Sequence, residues 1–162
     1  MNGNWIAVAS ADHVRRGVAL GIMQVCHGKA APLKRLMPGD RVAYYSPRTE
    51  MRKGEALRCF TALGVVADGE VHQADMGGGF RPFRRRVRYL EARPAPVETL
   101  LALPGFALSG AAWGARLRFG LVGIDEASMD RIAEAMGIKP GDGKSKINRR
   151  ERREIAESAE VT

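Results

Sequence analysis

The chain has few of the residues that build disulfide frameworks or metal sites. Its 162 residues include only two cysteines and three histidines. Cys26 and Cys59 each lie in an apolar run, which indicates reduced core thiols, with a disulfide as the less favoured alternative. The cysteines and histidines show no metal-ligand spacing, so we expect neither a metal nor another cofactor. A single domain of this length can remove about 70% of its unfolded surface from water without such staples.

Long apolar runs and catalytic motifs are also missing. No run approaches the ~20 apolar residues of a membrane span. The first residues, Met1–Asn4, lack the basic and apolar regions of a signal peptide, so we expect a cytoplasmic protein with no membrane partner. No segment assembles a nucleophile, a base and an orienting acid, and no phosphate-loop lysine follows the glycines 77–79. The sequence therefore predicts a protein that is not an enzyme.

Charge of one sign dominates the chain. Lysine and arginine number 26 against 18 acidic residues, a net charge of +8. From Lys139 onward there are seven basic and five acidic residues, which leaves +6 on the first 138 residues. A basic body favours polyanionic partners, because cationic side chains neutralise phosphates and release counterions.

Hydrophobic patterns and turn signals predict short strands interrupted by short helices. The predicted strands are Trp5–Ala9, Ile22–Cys26, Arg41–Tyr45 (ended by Ser46-Pro47), Leu57–Ala67 with a bulge at Gly64, Val71–Gln73, Arg84–Leu90 and Leu117–Val122. The predicted helices are Ala11–Leu20 after an N-cap at Ser10, Val97–Leu103, and a last helix capped by Asp125 and stopped by Gly137. This irregular alternation favours a small curled sheet or barrel over a doubly wound sheet.

An ordered set of short motifs identifies a family. The motifs are Asn4-Trp5-Ile6, His27-Gly28-Lys29, Gly39-Asp40, Tyr44-Tyr45-Ser46-Pro47, Phe60-Thr61-Ala62-Leu63-Gly64 and Arg84-Arg85-Arg86-Val87. Together they resemble the EVE domain over nearly all of residues 2–137. We therefore divide the chain into an EVE domain at 1–138 and a basic tail, flexible or partly helical, at 139–162.

The resemblance implies a fold and a class of ligand. EVE domains belong with PUA, ASCH and YTH domains, which implies an α+β, PUA-like pseudo-barrel with a strongly bent mixed sheet and short flanking helices. It also implies a nucleic-acid partner, DNA or RNA, that carries a modified base. That base is chiefly methylated or hydroxymethylated cytosine for EVE domains and methyladenine for YTH relatives.

Aromatic and polar side chains at the motifs are the candidates for a base pocket. Four of them are aromatic: Trp5, Tyr44, Tyr45 and Trp113. Core packing is the alternative for each, and because neighbours on a strand face opposite sides, Tyr44 and Tyr45 cannot enter one pocket together. The polar and turn candidates, at predicted strand ends, are Ser10, His27, Gly28, Ser46, Pro47 and Thr61. Turn or capping roles remain open for His27 and Gly28.

Basic side chains beside this pocket are the candidates for phosphate contact. The segment 81–88 holds five arginines in eight residues and follows a flexible glycine run. The candidates are Lys29, Arg81, Arg84, Arg85 and Arg86, with Phe80 or Phe83 available for stacking. Because an alternating strand exposes only part of such a run on one face, a structural role for some of these arginines is the alternative.

These observations favour non-catalytic binding of nucleic acid that carries a modified base, held by an aromatic pocket and an arginine-rich surface. Two alternatives stay open. One is a sensor or enzyme for a free modified nucleoside or nucleotide. The other is a module that recognises RNA shape without a base pocket.

Overall fold

A computed structural model describes residues 3–51, 53–109, 113–139 and 141–143. The strands are β1 (Asn4–Val8), β2 (Ile22–Met23), β3 (Arg41–Arg48), β4 (Ala56–Val66), β5 (His72–Gln73), β6 (Phe83–Tyr89), β7 (Ala95–Pro96) and β8 (Leu121–Ile124). The helices are α1 (Ala11–Leu20), α2 (Ala30–Leu33), α3 (Val97–Leu101), α4 (Trp113–Arg116) and α5 (Glu126–Ala135), with 3₁₀ turns at Cys26–Gly28 and Leu117–Phe119. Of the predicted tail, residue 140 and residues 144–162 lie outside the described residues. None of the helices just named has the length and apolar character needed to cross a membrane.

The strands form one mixed, curled sheet in the order β2-β6-β4-β3-β1-β8, with β5 on β6 and β7 on β4. β1 and β3 are parallel, and the other pairs are antiparallel. The register of β4 against β3 shifts beside Thr61, which is an extra residue opposite Tyr44 and Tyr45. A second shift spans the stretch that contains Arg58, whose φ is 53°. Such irregularities increase strand twist, which helps the long β4 to curl.

Both faces of the sheet are buried, each against its own hydrophobic cluster. On one face, Ile6 and Ala43 pack with helix α5 residues such as Met129 and Ile132. On the other, Ala7 and Val42 pack with Val14 of α1 and with leucines of the α2 region. Alternate side chains of β1 and β3 therefore enter different clusters, which explains why these strands read as continuous apolar runs.

Several predicted boundaries are wrong for local reasons. The strand at 41 does not end at Ser46-Pro47 but continues to Arg48, because Pro47 lies at a register shift where its missing N–H breaks no regular ladder. The predicted strand from Leu117 begins as a 3₁₀ turn, and β8 starts only after Gly120, whose φ is 77°. Likewise the predicted strand to Cys26 ends at Met23, because the chain turns at Cys26 and His27 with positive φ.

Gly64 serves close packing rather than the predicted bulge. The register through Gly64 is regular on both sides of β4. A Cβ built there would lie 2.5 Å from Cγ1 of Val87. The glycine therefore lets β4 and β6 approach, while the bulge falls three residues earlier at Thr61.

Candidate functional site

A cavity of about 180 Å³ opens between α1, the chain after β2, β3 and the β5–β6 loop. Its lining residues are His13, Val14, Arg16, Gly17, Leu20, Ile22, Gln24, Tyr44, Met76, Phe80 and Arg84, and we call it the α1–β6 cavity. Pockets for drug-sized ligands start at about 300 Å³, so this volume suits one planar ring rather than a whole nucleotide.

Gly17 and Gly21 shape the wall formed by α1. A Cβ on Gly17 would lie 2.9 Å from the carbonyl oxygen of Ile22, so only glycine lets α1 pack this closely on the next segment. Gly21 ends the helix with φ 67°, and its N–H donates to the carbonyls of Gly17 and Val18. The chain thereby turns back at once, which places Ile22 and Gln24 against the helix.

Tyr44 fixes the Gln24 segment at the base of the cavity. The buried Tyr44 hydroxyl donates to the Gln24 carbonyl oxygen at 2.8 Å and accepts from the Gln24 N–H at 3.2 Å. Burial raises the pKa of Tyr44 above its ordinary value, so the phenol stays protonated and keeps this donor. The two backbone groups of Gln24 are thus satisfied by Tyr44, which leaves the Gln24 side-chain amide to the cavity.

Two polar atoms of the cavity lining are unsatisfied. Gln24 Oε1 and Arg84 Nε are both buried, and neither has a hydrogen-bond partner within the described part of the chain. An unmade hydrogen bond at a buried polar atom costs about 1–3 kcal/mol. One is an acceptor and the other a cationic donor, so a ligand that offers both a donor and an acceptor would complete them.

His13 adds a neutral ring to the same wall. Burial lowers the pKa of His13, the positive charges of Arg16 and Arg84 lower it further, and Asp12 partly opposes them. At neutral pH the imidazole therefore carries one donor and one acceptor nitrogen, without adding charge to the cavity.

The β5–β6 loop supplies an apolar wall that is still exposed. Met76 and Phe80 are 54% and 51% exposed, although both line the cavity. The Met76 N–H donates to the Phe80 carbonyl at 3.0 Å, which closes a tight turn across the three glycines. Arg84 Nη2 also lies 2.8 Å from the Met76 sulfur. The two apolar side chains are therefore positioned beside Arg84 with surface free for a ligand.

Of the residues chosen from the sequence, Tyr44, Phe80 and Arg84 line this cavity. Tyr44 and Tyr45 face opposite sides of β3, as the alternation predicted, and both are buried. Tyr45 packs edge-on against Phe60 and Trp113, with ring centroids 5.6 and 5.9 Å apart. Tyr45 and Trp113 therefore belong to the cluster on the other face of the sheet.

Other aromatic and polar candidates are held by protein partners. Trp5 Nε1 donates to Asp40 at 2.9 Å. Ser10 stands at the N-cap position of α1, but its hydroxyl donates to the Asp12 carboxylate instead of capping the backbone. Ser46 is fully buried and shares a 2.7 Å hydrogen bond with Thr61, and the adjacent Pro47 is half-buried.

The His27-Gly28-Lys29 motif forms the turn between β2 and α2. His27 and Lys29 are exposed, and Gly28 has φ 81°. A Cβ on Gly28 would lie 2.5 Å from Cβ of Pro82, so the glycine permits close contact with the start of β6. The motif thus has a clear structural role beside the cavity, and it does not line it.

The predicted phosphate-binding arginines divide between the surface and the interior. Arg81 and Arg86 are exposed, whereas Arg84 is half-buried in the cavity. Arg85 is only 7% exposed because it follows the inward alternation of β6 with Val87. The alternation of β6 therefore places Arg85 inside and Arg86 at the surface. This agrees with the alternative that some of these arginines are structural.

Sequence reasoning missed His13, Gln24 and Met76 as lining residues. His13 lies inside a predicted helix, and Gln24 lies inside a predicted strand. The available signal was a polar residue, Gln24, in an otherwise apolar predicted strand, three residues before the His27-Gly28-Lys29 motif.

Comparison with known proteins assigns the family. A model of the EVE domain matches residues 3–135. The chain belongs to the EVE domain family. A UPF0310 protein of Mesorhizobium japonicum is 51% identical to it over 139 residues, covering 85% of this chain and 93% of the relative. The resemblance carried by the motifs is therefore confirmed.

Solved structures share the fold of this EVE domain. Protein Atu2648 of Agrobacterium tumefaciens matches with TM-score 0.57 and 12% identity, over 88% of this chain and 98% of that one. The YTH domain of Zygosaccharomyces rouxii MRB1, solved in complex with N6-methyladenosine RNA, matches with TM-score 0.55 and 13% identity, over 82% and 85%. The predicted α+β, PUA-like pseudo-barrel is therefore confirmed.

Proposed function

We propose that this EVE domain binds nucleic acid carrying a modified base and that the α1–β6 cavity receives this base unstacked. The observation that carries the proposal is the pair of unsatisfied buried atoms, Gln24 Oε1 and Arg84 Nε, in a cavity sized for one ring. A base turned out of its stack loses a few kcal/mol. Stacking on an aromatic side chain such as Phe80 returns about 1–3 kcal/mol, and the two polar atoms can pair with its edge.

The chemistry of these atoms fits a base with an amino group beside a ring-nitrogen acceptor. The amine of cytosine can donate to Gln24 Oε1, and a ring nitrogen or carbonyl can accept from Arg84 Nε. A methyl group adds about 0.8 kcal/mol of apolar contact, roughly four-fold in affinity, when it meets a wall such as Met76 and Phe80. Modified cytosine is therefore the first ligand to test. Methyladenine is the second, because a YTH domain of this fold was solved with N6-methyladenosine RNA.

Phosphates beside the inserted base would meet the exposed arginines. Arg81 and Arg86 flank Arg84 at the start of β6, and Lys29 is exposed on the turn that packs against Pro82. The stretch from 76 to 90 contains no acidic residue. This surface therefore supports the salt-dependent part of binding.

The lining supports binding rather than catalysis. Its described residues include no serine, threonine, cysteine, lysine or carboxylate side chain. The raised pKa of Tyr44 keeps its hydroxyl protonated, and that hydroxyl already pairs with the Gln24 backbone. The cavity thus offers shape and hydrogen bonds, but no unpaired hydroxyl and no thiol that His13 could activate among its described lining residues.

Single-stranded oligonucleotides that differ at one position test the proposal. That position carries cytosine, 5-methylcytosine, 5-hydroxymethylcytosine, adenine, N6-methyladenine or an abasic site, in DNA and in RNA. Fluorescence anisotropy across a salt series should show salt-dependent binding with one modified base preferred over the abasic site. Equal affinities for every base and for the abasic site at that position would contradict the base-pocket proposal and favour recognition of RNA shape.

Arg84→Gln and Arg88→Gln separate the cavity from the surface charge. Arg88 is exposed on the same strand, and it does not line the cavity. Both variants lose one positive charge, but only Arg84→Gln should reduce the preference for the base over the abasic site. Thermal stabilisation by a free modified nucleoside, without binding of the oligonucleotide, would instead indicate the sensor alternative.

A further inference from the structure

A second concave surface lies between α2 and the edge strand β8. It has a volume of about 520 Å³ and is lined by Pro32, Arg35, Arg116, Phe119 and the start of β8 at Leu121, Val122 and Gly123. We call it the α2–β8 groove. None of these residues lines the α1–β6 cavity, so the groove is a separate site.

Phe119 is an exposed aromatic ring on an anchored backbone. Its side chain is 76% exposed, more than any other large hydrophobic residue described. Its carbonyl oxygen accepts from Cys26 Sγ at 3.3 Å. The next residue, Gly120, accepts from the Val8 N–H at 3.0 Å and donates to Leu117. These hydrogen bonds fix the backbone that carries the ring, and the ring itself is exposed and open to base stacking.

Both sides of the groove carry only positive charge. The stretch from Ile22 to Met37 contains Lys29, Lys34 and Arg35 and no acidic residue, and the stretch 113–124 contains Arg116 and Arg118 and no acidic residue. All five side chains are exposed, and Arg35 and Arg116 are the two that line the groove. An aromatic ring between cations fits a polyanion with flat rings, so the occupant that complements the groove is single-stranded nucleic acid.

Arg35 is positioned in advance for phosphate contact. Its guanidinium lies 4.9 Å from the ring centroid of Trp5. That ring is itself fixed, because Trp5 Nε1 donates to the buried Asp40 carboxylate. A cation–π contact of this kind restricts the side chain without neutralising its charge, so less entropy is lost when a phosphate binds.

One turn connects the groove with the α1–β6 cavity. Gln24 lines the cavity, and Cys26, two residues later, contacts Phe119 in the groove. Two residues span at most about 7 Å. The exposed His27 and Lys29 lie on the same turn. A strand with one base in the cavity can therefore continue across this turn to the groove.

We propose that the α2–β8 groove binds the single-stranded segment next to the base held in the cavity, with one base stacked on Phe119 and a phosphate at Arg35. This inference rests on the proposed function, because the strand is positioned by the base in the α1–β6 cavity. It adds a binding surface that recognises the polymer and not the modification.

Phe119→Ala tests the stacking position, with Met51→Ala as the control. Both side chains are largely exposed, so neither truncation removes core packing. Phe119→Ala should weaken binding of a nine-nucleotide oligonucleotide by about 5- to 150-fold, the loss of one stacked base. The preference for a modified over an unmodified base should not change, Phe119→Trp should restore affinity, and Met51→Ala should bind as wild type. Wild-type affinity in Phe119→Ala would overturn the groove proposal.

Arg35→Gln tests the phosphate contact, because Arg35 lines the groove, with Arg131→Gln of α5 as the matched control. Loss of one phosphate contact to a single strand should reduce the slope of log affinity against log salt by about 0.7. Arg131 is also exposed but lies on a helix that packs on the other face of the sheet. The slope of log affinity against log salt measured for Arg131→Gln should therefore equal that of the wild type. An unchanged slope in Arg35→Gln overturns the contact. If the α1–β6 cavity does not receive a base, the result is different: the wild-type protein would then bind base-containing and abasic oligonucleotides equally.

Discussion

Replacing Gln24 by methionine separates the hydrogen bonds of the cavity from its shape. Methionine has a similar length, but it removes the amide whose oxygen is buried without a partner among the described residues. The Gln24 backbone stays fixed, because the Tyr44 hydroxyl pairs with both its N–H and its carbonyl. The polar edge of an inserted base would then lack a partner, which costs about 1–3 kcal/mol. We expect the preference for a modified base over an abasic site to fall by about 5- to 150-fold.

Fluorescence anisotropy with paired base-containing and abasic oligonucleotides measures this preference directly. Thr99→Met is the control, because Thr99 is an exposed polar residue of α3 that does not line the cavity. Affinity for the abasic oligonucleotide should be unchanged in both variants, since it depends on phosphate contacts alone. An unchanged preference in Gln24→Met, or an equal loss in Thr99→Met, would refute the assignment of Gln24 to the base edge.

Two further predictions concern stability. The buried Asp40 carboxylate accepts from the N–H groups of Gly3 and Met37 and from Trp5. Asp40→Asn turns one acceptor into a donor and should lower the free energy of unfolding by about 1.5–3 kcal/mol in urea titrations, with the exposed Asp68→Asn near zero. Since the folded pKa of His13 lies below its unfolded value, the unfolded state takes up the proton first, and stability should fall as pH drops below about 6.5. His13→Gln should show a smaller loss between pH 7.5 and 5, and an identical pH profile would contradict this reading.

The bounds of helices could be predicted where a capping or stop residue in the sequence coincides with the end of the apolar pattern. Helix α1 has the predicted bounds, because Gly21 adopts the left-handed conformation that stops it. The last helix has the predicted cap, since the Asp125 carboxylate accepts from the Ser128 N–H at 3.1 Å. Boundaries failed where the sheet bends, at Pro47 and before β8, because a register shift or a 3₁₀ turn depends on pairing partners distant in sequence.

The cavity was less predictable because its walls come from four separate segments. Tyr44 was found through its motif, and Arg84 through the arginine run. Gln24 enters the cavity only because Tyr44, twenty residues later, holds its backbone. His13 and Met76 meet there because α1 and the β5–β6 loop pack on the same face of the sheet. No local pattern encodes that convergence.

Buried polar atoms without a hydrogen-bond partner, rather than aromatic rings, locate the candidate site. The rings that stand out in the sequence already have partners, since Trp5 donates to Asp40 and Trp113 lies beneath the Arg58 guanidinium at 5.7 Å. Their surroundings gain little from a ligand. Gln24 Oε1 and Arg84 Nε, by contrast, are buried without a partner among the described residues, and unlike Arg85 Nε, which shares that property, both belong to residues that line a cavity. Because a buried polar atom without a hydrogen bond destabilises the free protein, a ligand that completes both atoms recovers that free energy on binding, and this gain is specific to the edge of the ligand that reaches them.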